Sequence, residues 1–161
     1  MKYSKLVFLL ALFMFTSATA MAQTSASVVK VRSEQSTNKI KSGTSAPISL
    51  VLDIDNGYHI NSNRPTEKYL IPTTLKLDRL PGLTVAVVRY PKAKLQKFSF
   101  SDKPLSVFEG KAVLKFTARA LPSLAPGNHT LKGKLTLQAC NDQLCLRPQT
   151  VDVDIPIDVS K

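Results

Sequence analysis

The chain has 161 residues, 43% hydrophobic and 20% charged, with two cysteines and no tryptophan. Lys and Arg outnumber Asp and Glu by 22 to 11, a formal net charge of +11. This composition is globular. It excludes a disordered acidic chain, a collagen-like chain and a disulfide-dense miniprotein, and two cysteines cannot complete a four-thiolate zinc site within one chain.

The first element is an address. Lys2 and Lys5 precede an unbroken apolar run, Leu6 to Phe15. A run that short falls well below the about 20 residues that span a bilayer. Ala20-Met21-Ala22 then gives an A-x-A cleavage pattern ahead of Gln23, with Ala18-Thr19-Ala20 as a second. Residues 1–22 therefore read as a secretory signal peptide, and 23–161 as a single domain. No later stretch is long and apolar enough to be a transmembrane segment. The expected location is periplasmic or secreted, where two cysteines pair with each other.

Past residue 22 the pattern has a period of two. Weak strand signals cover 28–34. Ile48, Leu50, Leu52 and Ile54 then alternate with Ser49, Val51, Asp53 and Asp55, and Asn56-Gly57 marks a turn. Tyr58 and His59 follow that turn, either shaping a site or packing as ordinary strand residues. Further weak strands cover 73–78 and 83–90, with the turn dipeptide Pro81-Gly82 between them. The densest basic stretch, Arg89 to Lys97, reads as a solvated strand edge and loop, since edge lysines discourage edge-to-edge pairing. No nucleic-acid partner is expected of an exported chain, while an acidic protein or anionic membrane surface stays open. Phe98 and Phe100 alternate on one face and read as core. Phe108 lies in a loop-like stretch between Pro104 and Gly110, either covering something or packing in the core.

The clearest strands come last. Ala112, Leu114, Phe116, Ala118 and Ala120 share one parity, and Lys115, Thr117 and Arg119 the other. After Pro126-Gly127, residues 130–139 and 151–159 repeat the alternation. No stretch shows a convincing helical period. Short strands with frequent turns predict an all-β fold, an immunoglobulin-like antiparallel β-sandwich, with a small barrel as the second choice.

Fold alone does not decide function, so the site must. The chemistry concentrates in Cys140-Asn141-Asp142-Gln143-Leu144-Cys145, between two alternating strands. The segment reads as a hairpin tip. Opposed residues of an antiparallel pair stand close enough for a disulfide, so a Cys140–Cys145 bridge is plausible. Cys140 continues the polar parity of Thr136 and Gln138 and should point away from the main core unless a bulge intervenes. By loop-closure entropy so short a bridge contributes only about 2 kcal/mol. A labile exchange disulfide, a hairpin staple and a soft-metal thiol site all remain open. His59 and His129 show no spacing that converges on the thiols.

At this point the chain resembles the N-terminal periplasmic domain of the thiol:disulfide interchange protein DsbD. The resemblance rests on Gln138-Ala139-Cys140 with Cys145 and Pro148 after it. It also rests on Gly57 to Pro65 with Leu70-Ile71-Pro72-Thr73, and on Phe108-Glu109-Gly110. It implies a sandwich that exchanges electrons through its cysteine pair. Cys145 would form mixed disulfides and Cys140 would resolve them, with no cofactor and no metal. A thioredoxin-like or membrane electron-transfer protein would be the donor, and a periplasmic disulfide protein the acceptor. Phe108 would cap the disulfide against adventitious thiols. Tyr58, His59, Asp142 and Arg147 would shape the site, Arg147 by favouring a thiolate. The best-known members space the cysteines one residue further apart and carry acidic residues where Ser106 and Val107 stand here. The chain ends at Lys161, directly after the last strand, so a standalone copy would need a separate electron source. The competing reading is a secreted binding or assembly module in which the disulfide is structural.

Overall fold

Two long strands form the spine. Gly127–Leu137 pairs antiparallel with Gln149–Ser160 along its whole length, from Gly127 opposite Val159 to Leu137 opposite Gln149. This hairpin presents Leu131, Leu135 and Leu137 from one arm, and Val153, Ile155, Ile157 and Val159 from the other, to the interior. The period-two pattern produces this directly, because successive side chains of a strand point to opposite faces.

The computed structural model describes residues 23–34 and 39–161. The leader expected over residues 1–22 lies outside the described residues. Among the described residues, twelve strands follow one 3-10 turn, Ser25–Ser27. They are β1 (Val29–Ser33), β2 (Lys39–Lys41), β3 (Ser45–Ile54), β4 (His59–Asn61), β5 (Thr74–Leu77) and β6 (Leu83–Val85). The rest are β7 (Lys94–Gln96), β8 (Leu105–Glu109), β9 (Lys111–Ala120), β10 (Gly127–Leu137), β11 (Ala139–Cys140) and β12 (Gln149–Ser160). Among the described residues no helix is long and apolar enough to cross a membrane.

The strands form three four-stranded sheets, ordered β1-β3-β9-β6, β2-β12-β10-β5 and β11-β4-β8-β7. Every named pairing is antiparallel except β2 with β12. The first two sheets share one core, in which Ile48, Leu50, Leu52, Leu114 and Phe116 meet Leu131, Leu135, Ile155 and Ile157. This is the β-sandwich expected from the sequence. At roughly 25 cal/mol per Å2 of apolar area removed from water, such a core dominates the stability.

The third sheet carries Cys140, with Cys145 bridged to it from the following turn. One of its faces gives Ile60, Phe108 and Ala139 to the main core. A second apolar cluster of Leu70, Phe98, Leu105 and Val107 lies apart from the main one. Leu105 and Val107 share the parity of Glu109, which pairs with His59, so this cluster lies on the other face. The basic stretch before it behaves as expected of an edge. Among the described residues its strand β7 pairs only with β8, and Leu95 there is exposed.

Candidate functional site

The site begins where β10 ends. Gln138 leaves the ladder, and Ala139 and Cys140 cross to the third sheet, pairing with Ile60 and His59 of β4. Ala139 keeps the inward parity of β10, and Cys140 points away from the main core onto the His59 face of the third sheet, where it is nevertheless 0% exposed. Cys145 is half-buried.

Cys140 and Cys145 are disulfide-bonded, with an S–S distance of 2.06 Å and Cα atoms 3.9 Å apart. They are an antiparallel pair, flanked by the hydrogen bonds Leu146 N to Ala139 O (2.8 Å) and Asn141 N to Leu144 O (2.9 Å). The cysteines therefore occupy a non-hydrogen-bonded position, where opposed Cα atoms come nearest. Asn141 organises the turn. Its Oδ1 accepts from Gln143 N and Leu144 N, each at 2.9 Å, as an asparagine side chain does when it replaces a backbone carbonyl.

Two polar side chains hold the arms that carry the sulfurs. The buried Ser25 accepts from Ala139 N (2.9 Å) and donates to Arg147 O (2.7 Å). Gln138 accepts from Asn61 Nδ2 (3.2 Å) and Ile71 N (3.4 Å) and donates to Leu146 O (3.3 Å). The second face of the third sheet is thereby locked to the cysteine hairpin.

His59 lies across from Cys140 on one side and from Glu109 on the other. The turn at Gly57, with φ near +80°, delivers it there; Tyr58 N donates to Asp55 O at 3.1 Å. The ring is 2% exposed and stacks on Phe98, centroids 4.0 Å apart. Phe98 stacks in turn on Phe100 at 5.4 Å. His59 Nε2 and Asn61 Oδ1 are buried without a hydrogen-bond partner. Burial pushes the His59 pKa below the ordinary histidine value, against the opposing pull of the Glu109 and Asp142 carboxylates.

Beside the ring an open polar cleft of about 320 Å3 is lined by Asp55, Tyr58, His59, Gln96, Glu109 and Asp142, among others. The loop bearing Phe98 and Phe100 is fastened to the cysteine turn, since Ser99 Oγ donates to Asp142 O at 2.8 Å. Phe98 is 4% exposed, Phe100 38% and Leu144, between the cysteines, 51%. Apolar surface thus flanks the disulfide.

The residues singled out in the sequence are not all here. Phe108 is a β8 residue paired with Ile60 and 3% exposed. Its ring belongs to the main core, on the sheet face opposite His59, because its parity differs by one from that of Glu109. The aromatics on the His59 face are Phe98 and Phe100. Tyr58 packs at the core edge and its hydroxyl donates to Gln23 Oε1 at 3.0 Å. Asp142 is at the exposed tip of the turn. Arg147 contributes its backbone, accepting from Ser25, while its side chain is exposed. His129 lies near the far end of β10, its Nε2 2.7 Å from Ala125 O. Among the described residues no three metal-ligating side chains gather. The sequence reading missed Ser25, Asn61, Asn141 and the Phe98–Phe100 loop. Only Asn141 carried a local signal, an asparagine opening a four-residue turn.

The model of one protein family, described as thiol:disulfide interchange protein DsbD, N-terminal, matches residues 25–156. No curated protein sequence matches the chain. Among solved structures, the reduced DsbD N-terminal domain of Neisseria meningitidis is similar, with a TM-score of 0.51 and 17% identity. That match covers 83% of this chain and 87% of the other. The N-terminal periplasmic domain of ScsB from Proteus mirabilis matches with a TM-score of 0.53 and 16% identity over 81% of this chain. The chain spans 46% of that ScsB domain. At these identities the two structures support the fold.

Proposed function

Because this chain belongs to the family of the N-terminal domain of the thiol:disulfide interchange protein DsbD, we propose that it is an exported thiol–disulfide exchange domain, passing electrons between periplasmic redox partners through Cys140 and Cys145. The observation that carries this reading is the asymmetry of the pair. Cys145 is half-buried and reachable from the exposed turn, whereas Cys140 is fully buried behind it. In this reading Cys145 meets the partner and Cys140 releases it.

To load the domain, a donor thiolate attacks Cys145 Sγ. The Cys140–Cys145 bond breaks, Cys140 leaves as a thiolate, and a mixed disulfide forms at Cys145. A second donor thiolate then attacks the donor's own sulfur, closes the donor disulfide and frees Cys145. To unload, the Cys145 thiolate attacks an acceptor disulfide and expels one acceptor sulfur. Cys140 then attacks Cys145 Sγ, restores the bridge and releases the second acceptor sulfur. Two electrons move in each half, and no cofactor is required. A thioredoxin-like or membrane electron-transfer protein is the class of donor, and a periplasmic disulfide protein the class of acceptor.

Two further features support the reading. A bridge closing so short a loop contributes only about 2 kcal/mol, little beside this core. The loop with Phe98 and Phe100, tied to the cysteine turn through Ser99, is in position to shield the bridge. The shielding expected of Phe108 passes in this reading to those two rings.

The test is covalent trapping in the periplasm. Cys140→Ala should accumulate mixed disulfides through Cys145, and Cys145→Ala should trap nothing. A Cys140→Ala protein that attaches to no partner would contradict the proposal, as would full function in the double Cys140→Ser, Cys145→Ser protein.

A further inference from the structure

We propose that His59 accepts the proton of the Cys140 thiol in the step that closes the disulfide; this rests on the exchange reading above. The problem it answers is chemical. The nucleophile in disulfide exchange is the thiolate, and burial in apolar surroundings favours the neutral thiol. Cys140 is 0% exposed and shares a face of the third sheet with His59, whose ring Phe98 covers. Left to its burial, it would be a poor resolving group. A base beside it removes that difficulty.

The register supplies one. His59 and Cys140 are directly opposed on β4 and β11, so their side chains share a face and their Cβ atoms stand about 4.5–5.5 Å apart. The ring is 2% exposed, and Nε2 is buried without a partner. Buried polar atoms in native proteins are generally paired, so an orphan on the residue directly opposed to Cys140 is informative. Asn61 Oδ1 is a second orphan on the same face, but an amide oxygen is too weak a base to take a proton. The stack on Phe98 holds the imidazole plane.

The titratable groups around the ring fit the role. Cys140 faces it from β11, and Glu109 from β8 with Lys94 of β7 paired to it at 3.3 Å. Asp142 faces it from the turn, and Asp55 and Tyr58 share its cleft. From the covering loop come the uncharged Phe98 and Phe100, while Lys97 of that loop bonds the carbonyls of Ser101 and Asp102. Burial lowers the His59 pKa and so favours the neutral imidazole, the form able to accept a proton. The Glu109 and Asp142 carboxylates then stabilise the imidazolium.

The step balances. In the mixed disulfide, Cys140 Sγ–H gives its proton to His59 Nε2. The thiolate attacks Cys145 Sγ, the bond from Cys145 to the partner sulfur breaks, and the electron pair leaves on that sulfur. The imidazolium returns the proton to the departing thiolate. His59 ends as it began.

The experiment uses the reduced Cys145→Ser protein, in which Cys140 is the sole thiol. Its alkylation rate by iodoacetamide is measured between about pH 5 and 9 with and without His59→Phe, a change that keeps the aromatic stack. The inflection should move up by about one unit, slowing the reaction about tenfold at pH 7. Superimposable profiles would overturn the proposal. Should His59→Phe fail to fold, the His59 ring is titrated by NMR in the Cys145→Ser protein, with and without Cys140→Ser. A changed imidazole titration supports the coupling, and an unchanged one refutes it. The wild-type chain is run in parallel against a reduced thioredoxin-like protein. Exchange there with superimposable alkylation profiles sinks the His59 role alone. No exchange, with His59-dependent alkylation, sinks the exchange reading and leaves the coupling standing.

Discussion

His59 and Cys140 face each other across the pairing of β4 with β11, with Phe98 stacked on the imidazole at 4.0 Å. The inner sulfur of the disulfide thus belongs to a buried layer, while the outer sulfur belongs to a turn. The behaviour expected of the site follows from that division.

Stability should depend on the sandwich and hardly on the bridge. Replacing both cysteines by alanine should cost about 2 kcal/mol or less from loop closure. Leu114→Ala, in the shared core, should cost about 2–5 kcal/mol. Urea unfolding of the two proteins measures the difference.

The covering loop should guard the disulfide without holding up the fold. Phe100, 38% exposed, can be lost cheaply. Phe100→Ala should leave the unfolding midpoint near that of the wild type and speed reduction of the bridge by glutathione several-fold. Phe108→Ala should do the reverse, with a core cost of about 3–5 kcal/mol and no direct effect on shielding. Glutathione reduction kinetics, set beside thermal unfolding, separates the two aromatics.

The turn should set how readily the bridge re-forms. Asn141 Oδ1 accepts from two backbone amides, and each such bond contributes about 0.5–1.5 kcal/mol. Asn141→Ala should therefore loosen the cysteine arms and make the disulfide easier to reduce. Equilibrium against a dithiol buffer checks this, and an unchanged position would show that the flanking strand bonds suffice.

Acid should destabilise the domain through His59. Its folded pKa lies below its unfolded value, which is near 6.5. Between the two values the unfolded chain binds a proton that the folded chain refuses. The stabilising contribution is present above about pH 6.5 and is lost as pH falls through the folded pKa. Unfolding free energies at a series of pH values should show this slope, and His59→Phe should flatten it.

The long strands were legible in the sequence because each buries one face. Every expected inward residue of β9, from Ala112 to Ala120, is buried. The short strands of the third sheet were not legible. All three residues of β4 are buried, so no alternation exists to read. In β8 the alternation is masked the same way, with Leu105, Ser106, Val107 and Phe108 all buried. That is why Phe108 read as a loop aromatic. The burial of Cys140 was hidden for a related reason. Gln138 leaves the ladder, and nothing local announces that the chain there changes sheets.

The central claim, that the cysteine pair opens and closes as part of the protein's work, is tested most directly by its equilibrium reduction potential. A working exchange pair should lie between about −180 and −270 mV, the range of thioredoxin-like and isomerase dithiols. A value below about −300 mV, where structural disulfides of secreted proteins lie, would contradict it.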